Sequence, residues 1–234
     1  MPVVLAIESS YETASVAIRN DRRLWSRQVD GVQFHSQSLL PMVQAVLADA
    51  GMTLHQCDAI AFGAGPGSFT GVRTACGIAQ GLAFGAGLPV LPVDTLAAAA
   101  QACHDATGAP SVLVVLDARM GEVYWGQYRF AANGDCAVVI APQLGAPVSV
   151  TPVGPVIVCG NGAAAHAQTF SAAVFGAGAR TDLMPHAAQV AVLGQRMFAR
   201  GEAVAARDAQ PVYLRNQVAL TTLERALAKA EAAA

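Results

Sequence analysis

The alternation of hydrophobic and polar positions predicts several strands in the first hundred residues. Short apolar runs predict buried strands at Val3–Ile7, Asp58–Phe62 and Leu88–Val93. The stretch Thr13–Val29 is typical of a β-hairpin, with its turn at Asn20-Asp21. These runs suit a sheet that is buried on both faces near its centre.

Apolar positions at helical spacing separate these strands. A helix with Ser36 as its N-cap is predicted to run to Gly51, with Pro41 early in it. A second helix follows a glycine-rich stretch, and a third is predicted over "TLAAAAQACHDA". The predicted order of elements is therefore β-β-β-α-β-α-β-α.

A similar array begins again near residue 110. Ser111–Arg119 predicts a buried strand that ends at an acid, and Glu122–Phe130 alternates like an exposed strand. The pair Asn133-Gly134 is typical of a hairpin turn, after which the chain returns along "CAVVIA". Pro155–Gly162 then predicts a strand that runs into a glycine-rich loop before a helix.

Two related β-β-β-α-β-α units in tandem predict an α/β protein with a duplicated ribonuclease-H-like fold. We expect a first subdomain at residues 1–107, a second at 108–210 and a cleft between them. Residues 211–234 include a stretch of high helix propensity. We expect this segment to pack on the first subdomain.

Composition favours a compact protein. Of the 234 residues, 54% are hydrophobic and 13% charged, and the net charge is −2, which argues against disorder. Five cysteines without a CxxC pair favour a reducing compartment. The chain shows neither a signal peptide nor the apolar run of roughly 18 residues that spans a bilayer. We therefore expect a cytoplasmic protein with no membrane association.

The stretch "GAGPGSFTGVRTACGIAQG" (Gly63–Gly81) allows two interpretations. As a phosphate loop it lacks the lysine of a P-loop, and Ser68 stands where the dinucleotide motif needs its third glycine. Only the general affinity of a helix N-terminus for anions remains. As a packing element it leads into Gly77, Gly81 and Gly85, which share one helical face. That face packs either inside its own domain or against a helix of another subunit.

The predicted helix that begins at Ser36 has more apolar surface than one core contact requires. Leu39, Val43 and Val46 form one apolar face. Leu40 and Met42 widen it. Because a surface helix needs only one apolar stripe, the excess favours a second buried face at a partner.

Candidate catalytic and metal-binding residues are few. The five histidines form no HxxH, HxxxH or HExxH pair, which argues against a helical metal site. Glu8 and Asp117 end the first strands of their halves. In one interpretation they face each other across the cleft and position a magnesium-nucleotide, and in the other they cap loops or bind arginines. We predict no catalytic residue, no metal site and no cofactor.

Four motifs together resemble the bacterial TsaB family, also called YeaZ. They are "GAGPGSFTGVR" (Gly63–Arg73), "GIAQGLA" (Gly77–Ala83), "DARMGEVYW" (Asp117–Trp125) and "PVYLRN" (Pro211–Asn216). The resemblance implies an actin-like ATPase (ASKHA) fold of two ribonuclease-H-like halves. It also implies a role in making threonylcarbamoyladenosine, the modified adenosine next to the anticodon of tRNAs that read codons starting with A.

The resemblance implies a non-catalytic subunit. In that family the paralogue TsaD carries the metal and transfers the threonylcarbamoyl group, and the ATPase TsaE joins the two. TsaB dimerises with TsaD through helices of its first half and forms homodimers by the same face. For this chain we expect that face to comprise Leu39, Leu40, Met42, Val43, Val46, Arg73, Gly77, Gly81 and Gly85.

Two other functions stay open. An ATP-dependent small-molecule kinase or ATPase of the same fold would use Glu8, Asp117 and the glycine-rich loops. A metal-dependent peptidase would need metal ligands that the sequence does not offer.

Strong binding of nucleic acid by the chain alone is not expected. Lys229 is the only lysine, and affinity for nucleic acid depends on neutralised phosphates. The nearest basic cluster suits a solvated edge strand better than a phosphate track; it consists of Arg19, Arg22, Arg23 and Arg27. We expect partner subunits to hold the tRNA.

Overall fold

A computed structural model of the protein describes residues 1–31, 35–170 and 178–215. These residues form two β-sheets with helices packed on them. Among them, no helix is both long enough and apolar enough to cross a membrane. The helix predicted within 220–234 lies outside the described residues.

The first half of the chain follows the predicted order of strands and helices. Its elements are β1 (Val4–Glu8), β2 (Thr13–Asn20), β3 (Arg23–Asp30), α1 (His35–Ala50), β4 (Ala59–Gly65), α2 (Phe69–Ala86), β5 (Val90–Asp94) and α3 (Thr95–Thr107). The sheet order is β3-β2-β1-β4-β5. β1, β4 and β5 are parallel, whereas β2 and β3 form the predicted antiparallel hairpin.

The two ends of α1 follow the prediction to different extents. Gly51 stops the helix as predicted, with φ 65°, a left-handed conformation that glycine adopts without strain. The prediction of Ser36 as N-cap is wrong. The helix already includes His35, so Ser36 lies inside its first turn. The residues before it, 32–34, are outside the described part.

The second half forms a smaller sheet. Its elements are β6 (Ser111–Asp117), β7 (Val123–Phe130), β8 (Cys136–Gly145), β9 (Ile157–Cys159), α4 (Gly162–Ala165) and α5 (Ala187–Ala199). The order is β8-β7-β6-β9, and the predicted turn at Asn133-Gly134 joins β7 to β8. Between β8 and β9 the described chain has one 3-10 turn at Pro147–Ser149 and no α-helix. Because prolines recur through 147–155, this segment does not form the α-helix of the predicted unit.

β7 is buried, and the prediction of an exposed strand for Glu122–Phe130 is wrong. β7 lies between β6 and β8, and both of its faces are covered. Tyr128 belongs to the core beside α3. Trp125 packs in a second core on the opposite face, with Val158 and Phe170.

Helices cover both faces of the first sheet. α1 and α2 pack side by side on one face. α3 and α5 cover the other, where Val190 and Ala191 of α5 share a core with Val4 and Ala61. α5 thus lies in the second half of the sequence but packs on the first sheet. The domain boundaries after residues 107 and 210 stay a prediction.

A short hydrogen bond connects the two sheets. The hydroxyl of Tyr128 on β7 donates to Oδ2 of Asp94 at the end of β5, at 2.6 Å. The other oxygen, Oδ1, accepts the N–H of Leu96 at 2.8 Å and caps α3. One carboxylate therefore fixes both the start of α3 and the approach of the second sheet.

Candidate functional site

The glycine-rich stretch forms a close-packed connection between β4 and α2. A Cβ atom on Gly71 would lie 1.9 Å from the carbonyl oxygen of Ser9, and one on Gly67 would lie 2.6 Å from Cβ of Ser10. The Ser9 hydroxyl donates to the Gly71 carbonyl at 2.9 Å. These glycines hold the N-terminus of α2 against the loop that follows β1, as the packing interpretation requires.

The glycines farther along α2 point away from the sheet. Gly77, Gly81 and Gly85 are exposed, and a Cβ atom on any of them would meet no described atom within 4 Å. The buried side of the helix includes Ala75 and Ala79 instead. Within the described residues the stripe is uncovered, so of its two interpretations the contact with a helix of another subunit is the one developed below.

Most of the α1 residues predicted for a partner face belong to the protein's own core. Leu39, Met42, Val43 and Val46 pack between α1 and the first sheet, so their prediction as partner-interface residues is wrong. The sheet needs broad apolar cover over β2 and β3, and this cover uses the wide apolar face of the helix. Leu40 stays at the surface, 46% exposed.

We define the outer face as the exposed residues Leu40, Arg73, Gly77, Gly81, Phe84 and Gly85 of α1 and α2. Phe84, which the sequence analysis missed, is 82% exposed. Its position three residues after Gly81 places it on the same side of the helix, so helical spacing gives a signal for it. Arg73 is the only charged residue of α2, although a solvated helix surface ordinarily carries many charges.

A cleft of about 320 Å³ lies between the two subdomains. Its walls come from the loop after β1, the N-terminus of α2, the loop after β6 and the segment 212–215. The lining includes Tyr11, Phe69, Asp117 and Tyr213. Glu8 does not line it. The interpretation in which Glu8 and Asp117 face each other across this cleft is therefore wrong.

Glu8 is buried beneath its own loop, 1% exposed. Its Oε1 accepts the N–H of Ser10 at 2.6 Å, while Oε2 has no hydrogen-bond partner among the described residues. The carboxyl is so close to Gly63 that a Cβ atom there would lie 1.8 Å from Oε2. Burial raises the pKa of Glu8 above its ordinary value, and the hydrogen bonds from Ser10 oppose that shift.

Asp117 lines the cleft but is bonded within its own subdomain. Its Oδ1 accepts the N–H of Arg119 at 3.1 Å, and its Oδ2 lies 3.3 Å from Nη1 of the same arginine. The guanidinium also bonds Oε1 of Glu12 across the cleft at 3.1 Å. Both acids therefore stabilise loops, as the second interpretation holds. The described residues contain no group of three or more His, Cys, Asp or Glu placed to hold a metal ion.

Glu8→Gln should remove a pH dependence of stability. Because the folded-state pKa of Glu8 is raised, its contribution is fully present below its unfolded pKa and is lost as pH rises through the folded value. The free energy of unfolding of the variant should equal that of wild type near pH 4 and exceed it at neutral pH. Urea unfolding at several pH values measures both. Parallel curves for the two proteins would contradict the assignment of a raised pKa to Glu8.

Comparison with known proteins identifies the family. The family model described as "TsaD: tRNA N6-adenosine threonylcarbamoyltransferase" matches residues 27–229. The tRNA threonylcarbamoyladenosine biosynthesis protein TsaB of Escherichia coli (strain K12) is 39% identical over 221 residues, which cover 92% of this chain and 96% of that protein. The chain belongs to the TsaB family. The TsaB of Haemophilus influenzae is 36% identical over 226 residues, 92% of this chain and 94% of that protein.

A solved structure of a TsaB-family protein has the same fold. YeaZ from Pseudomonas aeruginosa superposes with a TM-score of 0.82 at 38% identity, and the match covers 92% of this chain and 100% of that chain. The resemblance to the TsaB family is thereby confirmed. So is the expected fold, an α/β protein of the actin-like ATPase type with two ribonuclease-H-like subdomains.

Proposed function

We propose that this chain is a non-catalytic, cytoplasmic subunit of the machinery that makes threonylcarbamoyladenosine in tRNA. It docks its outer face on the catalytic paralogue TsaD, assembles with TsaE, and forms homodimers by the same face when isolated. Membership of the TsaB family supports the pathway. The observation that carries the docking site is the glycine stripe of α2, which is exposed and meets no described atom.

The outer face has the chemistry of a helix-helix contact. Each glycine inside a helix costs about 1 kcal/mol relative to alanine, and no close contact with a described residue explains why these three are glycines. Glycines on one stripe let a second helix approach closely. Phe84 beside them offers an exposed aromatic side chain, a residue type that is enriched at interface centres.

The contacts of the cleft support a non-catalytic role. Asp117 is bonded to Arg119, and Glu8 is buried against its own loop. Arg215 is bonded to Glu122 at 2.6 Å. Asp117 and Arg215 already have partners inside the protein and Glu8 does not line the cleft, so the cleft does not favour the ATP-dependent alternative.

We propose that the tRNA is held by the partner subunits. On β3 and its turn, Arg27 is paired with Asp49 at 2.7 Å, and β3 is an exposed edge strand. Arg19 is bonded to Gln195 at 2.7 Å, so half of this basic cluster is already held by other side chains and only Arg22 and Arg23 are left for phosphates. In a filter-binding titration at physiological salt, a dissociation constant well below about 1 μM for the isolated chain would contradict this part.

Gly81→Leu should weaken binding to TsaD at least tenfold without unfolding the chain. The added side chain projects into open space in the protomer but blocks a helix that approaches the stripe. Ala199→Leu is a matched control, because it adds an exposed leucine on α5, across the sheet. Calorimetric titration of TsaD with each variant measures the affinities. Equal affinities for the two variants would place the interface elsewhere.

Reconstitution tests the function itself. The reaction contains tRNA, threonine, bicarbonate and ATP with TsaD, TsaE and the other proteins of the pathway, and is run with and without this chain. We expect modified tRNA only when the chain is present, and little with Gly81→Leu. Full modification in its absence would overturn the proposed role.

A further inference from the structure

Three motifs that are far apart in the sequence meet at the mouth of the cleft. They are the end of the glycine-rich motif at Phe69 and Arg73, the loop 117–122, and the segment Ala209–Arg215. We call this last segment the strap. It runs from α2 across the cleft to the second subdomain, and the proposed docking of the outer face does not account for it.

Hydrogen bonds to its backbone groups fix the strap to the first subdomain. The N–H of Val212 donates to the Ala64 carbonyl at 2.7 Å. Nε2 of Gln80 donates to the Ala209 carbonyl at 2.9 Å. The fit is close, because a Cβ atom on Gly65 would lie 2.6 Å from the Val212 carbonyl oxygen. A side chain at Gly65 would therefore lift the strap.

The strap also contacts the outer face through Arg73. Nε of Arg73 donates to the Tyr213 hydroxyl at 2.6 Å, and its guanidinium lies 3.4 Å from the centre of the Phe69 ring. The rings of Phe69 and Tyr213 are 5.6 Å apart, within the range of favourable aromatic pairs. Arg73 thus belongs at once to the outer face and to this cluster.

At its other end the strap holds a strained loop of the second subdomain. Nη2 of Arg215 donates to Oε2 of Glu122 at 2.6 Å and to the Arg119 carbonyl at 3.4 Å. Nη1 lies 3.3 Å from the Met120 sulfur. Arg119 and Met120 have φ of 63° and 56°, a left-handed region that side-chain-bearing residues adopt only at a cost in free energy. Such a loop persists only while its surroundings hold it.

We infer that the strap is a clamp that holds the two subdomains closed and couples that closure to the outer face. Arg215 supplies the bond to the second subdomain, and Tyr213 supplies the bond to Arg73. A partner that binds the outer face and orders Arg73 therefore stabilises the closed cleft, and closure in turn favours the partner. The clamp stands on the contacts within the chain, whereas the coupling rests on the proposed function.

Hydrogen exchange of the isolated full chain tests the clamp. Arg215→Gln should speed amide exchange in 118–122 and in 65–69 about tenfold or more, because the loop and the cleft wall lose their common support. Arg207→Gln is the control, since that arginine is also near the strap but is exposed, and its ion pair is with its neighbour Asp208 and not with the second subdomain. Glu122→Gln removes the same bond from the other subdomain and should reproduce the Arg215→Gln pattern. Wild-type exchange in both variants would overturn the clamp.

Exchange in the presence of TsaD tests the coupling. Bound TsaD should slow exchange in 118–122 of wild type, and Tyr213→Phe should abolish this protection while leaving Arg215 in place. Binding of TsaD without protection of 118–122 would overturn the coupling. If TsaD does not bind at all, the proposed function fails, but the experiment on the isolated chain still decides whether the clamp exists.

Discussion

Gly71→Ala should destabilise the protein by about 3 kcal/mol or more, the upper range for overpacking, whereas Gly77→Ala on the same helix should stabilise it. A Cβ atom on Gly71 would meet a backbone carbonyl of the β1 loop at 1.9 Å, so that α2 or β1 must move. A Cβ atom on Gly77 meets no described atom within 4 Å, and alanine there gains up to about 1 kcal/mol of helix propensity.

Urea unfolding followed by circular dichroism measures the two effects on one helix. The midpoint should fall for Gly71→Ala and rise for Gly77→Ala, with similar slopes for the soluble variants. If Gly71→Ala does not accumulate as folded protein, its loss is already the expected result and Gly77→Ala gives the reference. Equal midpoints for the two variants would show that α2 does not rest on the loop after β1.

Tyr128→Phe should cost about 1.5–3 kcal/mol, the range for a hydrogen bond to a charged group. The hydroxyl is the side-chain donor to Asp94, a carboxylate whose pKa burial raises and this hydrogen bond lowers. Without the bond the pKa of Asp94 should rise further. The loss of stability should be largest at the junction of the two sheets, which this bond connects.

Tyr124→Phe is the matched control on the same strand. Tyr124 is also buried, but its hydroxyl makes no hydrogen bond to a described residue, so its removal should change stability little. Thermal unfolding of the two variants at neutral pH makes the comparison. A loss in Tyr128→Phe no larger than that in Tyr124→Phe would mean that the contact with Asp94 does not stabilise the junction.

The sequence predicted local structure well because local signals are strong. The helix stop at Gly51 depends on a residue whose conformational preference is unusual. The hairpin turn lies at Asp21-Arg22, one residue after the predicted Asn20-Asp21, because Asn20 still pairs with Arg23 in the sheet. Burial was harder to predict. Glu122–Phe130 alternates in polarity, yet a strand in the middle of a sheet is covered on both faces by elements that are remote in sequence.

In the candidate site, too, burial could not be predicted from the sequence. Leu39 and Leu40 are adjacent and chemically identical, but only the position of the sheet decides that one is core and the other surface. Gly71 and Gly77 also look alike in the sequence, and only the loop after β1 distinguishes them. The contacts of Arg215 with 119–122 join residues more than ninety positions apart. A local sequence pattern cannot predict contacts between residues so far apart in the chain.

Because α5 packs on the first sheet, that sheet cannot be fully covered until long after its strands have been synthesised. The strands of that sheet are complete at Asp94, but the helix that covers Val4, Ala61 and Leu91 ends at Ala199. Gly194 fits so closely that a Cβ atom there would lie 2.9 Å from Cβ of Ala61. A nascent chain therefore carries a finished sheet whose second face is covered only by α3 through nearly half of translation. A ribosome that stalls in this interval leaves a product prone to aggregation.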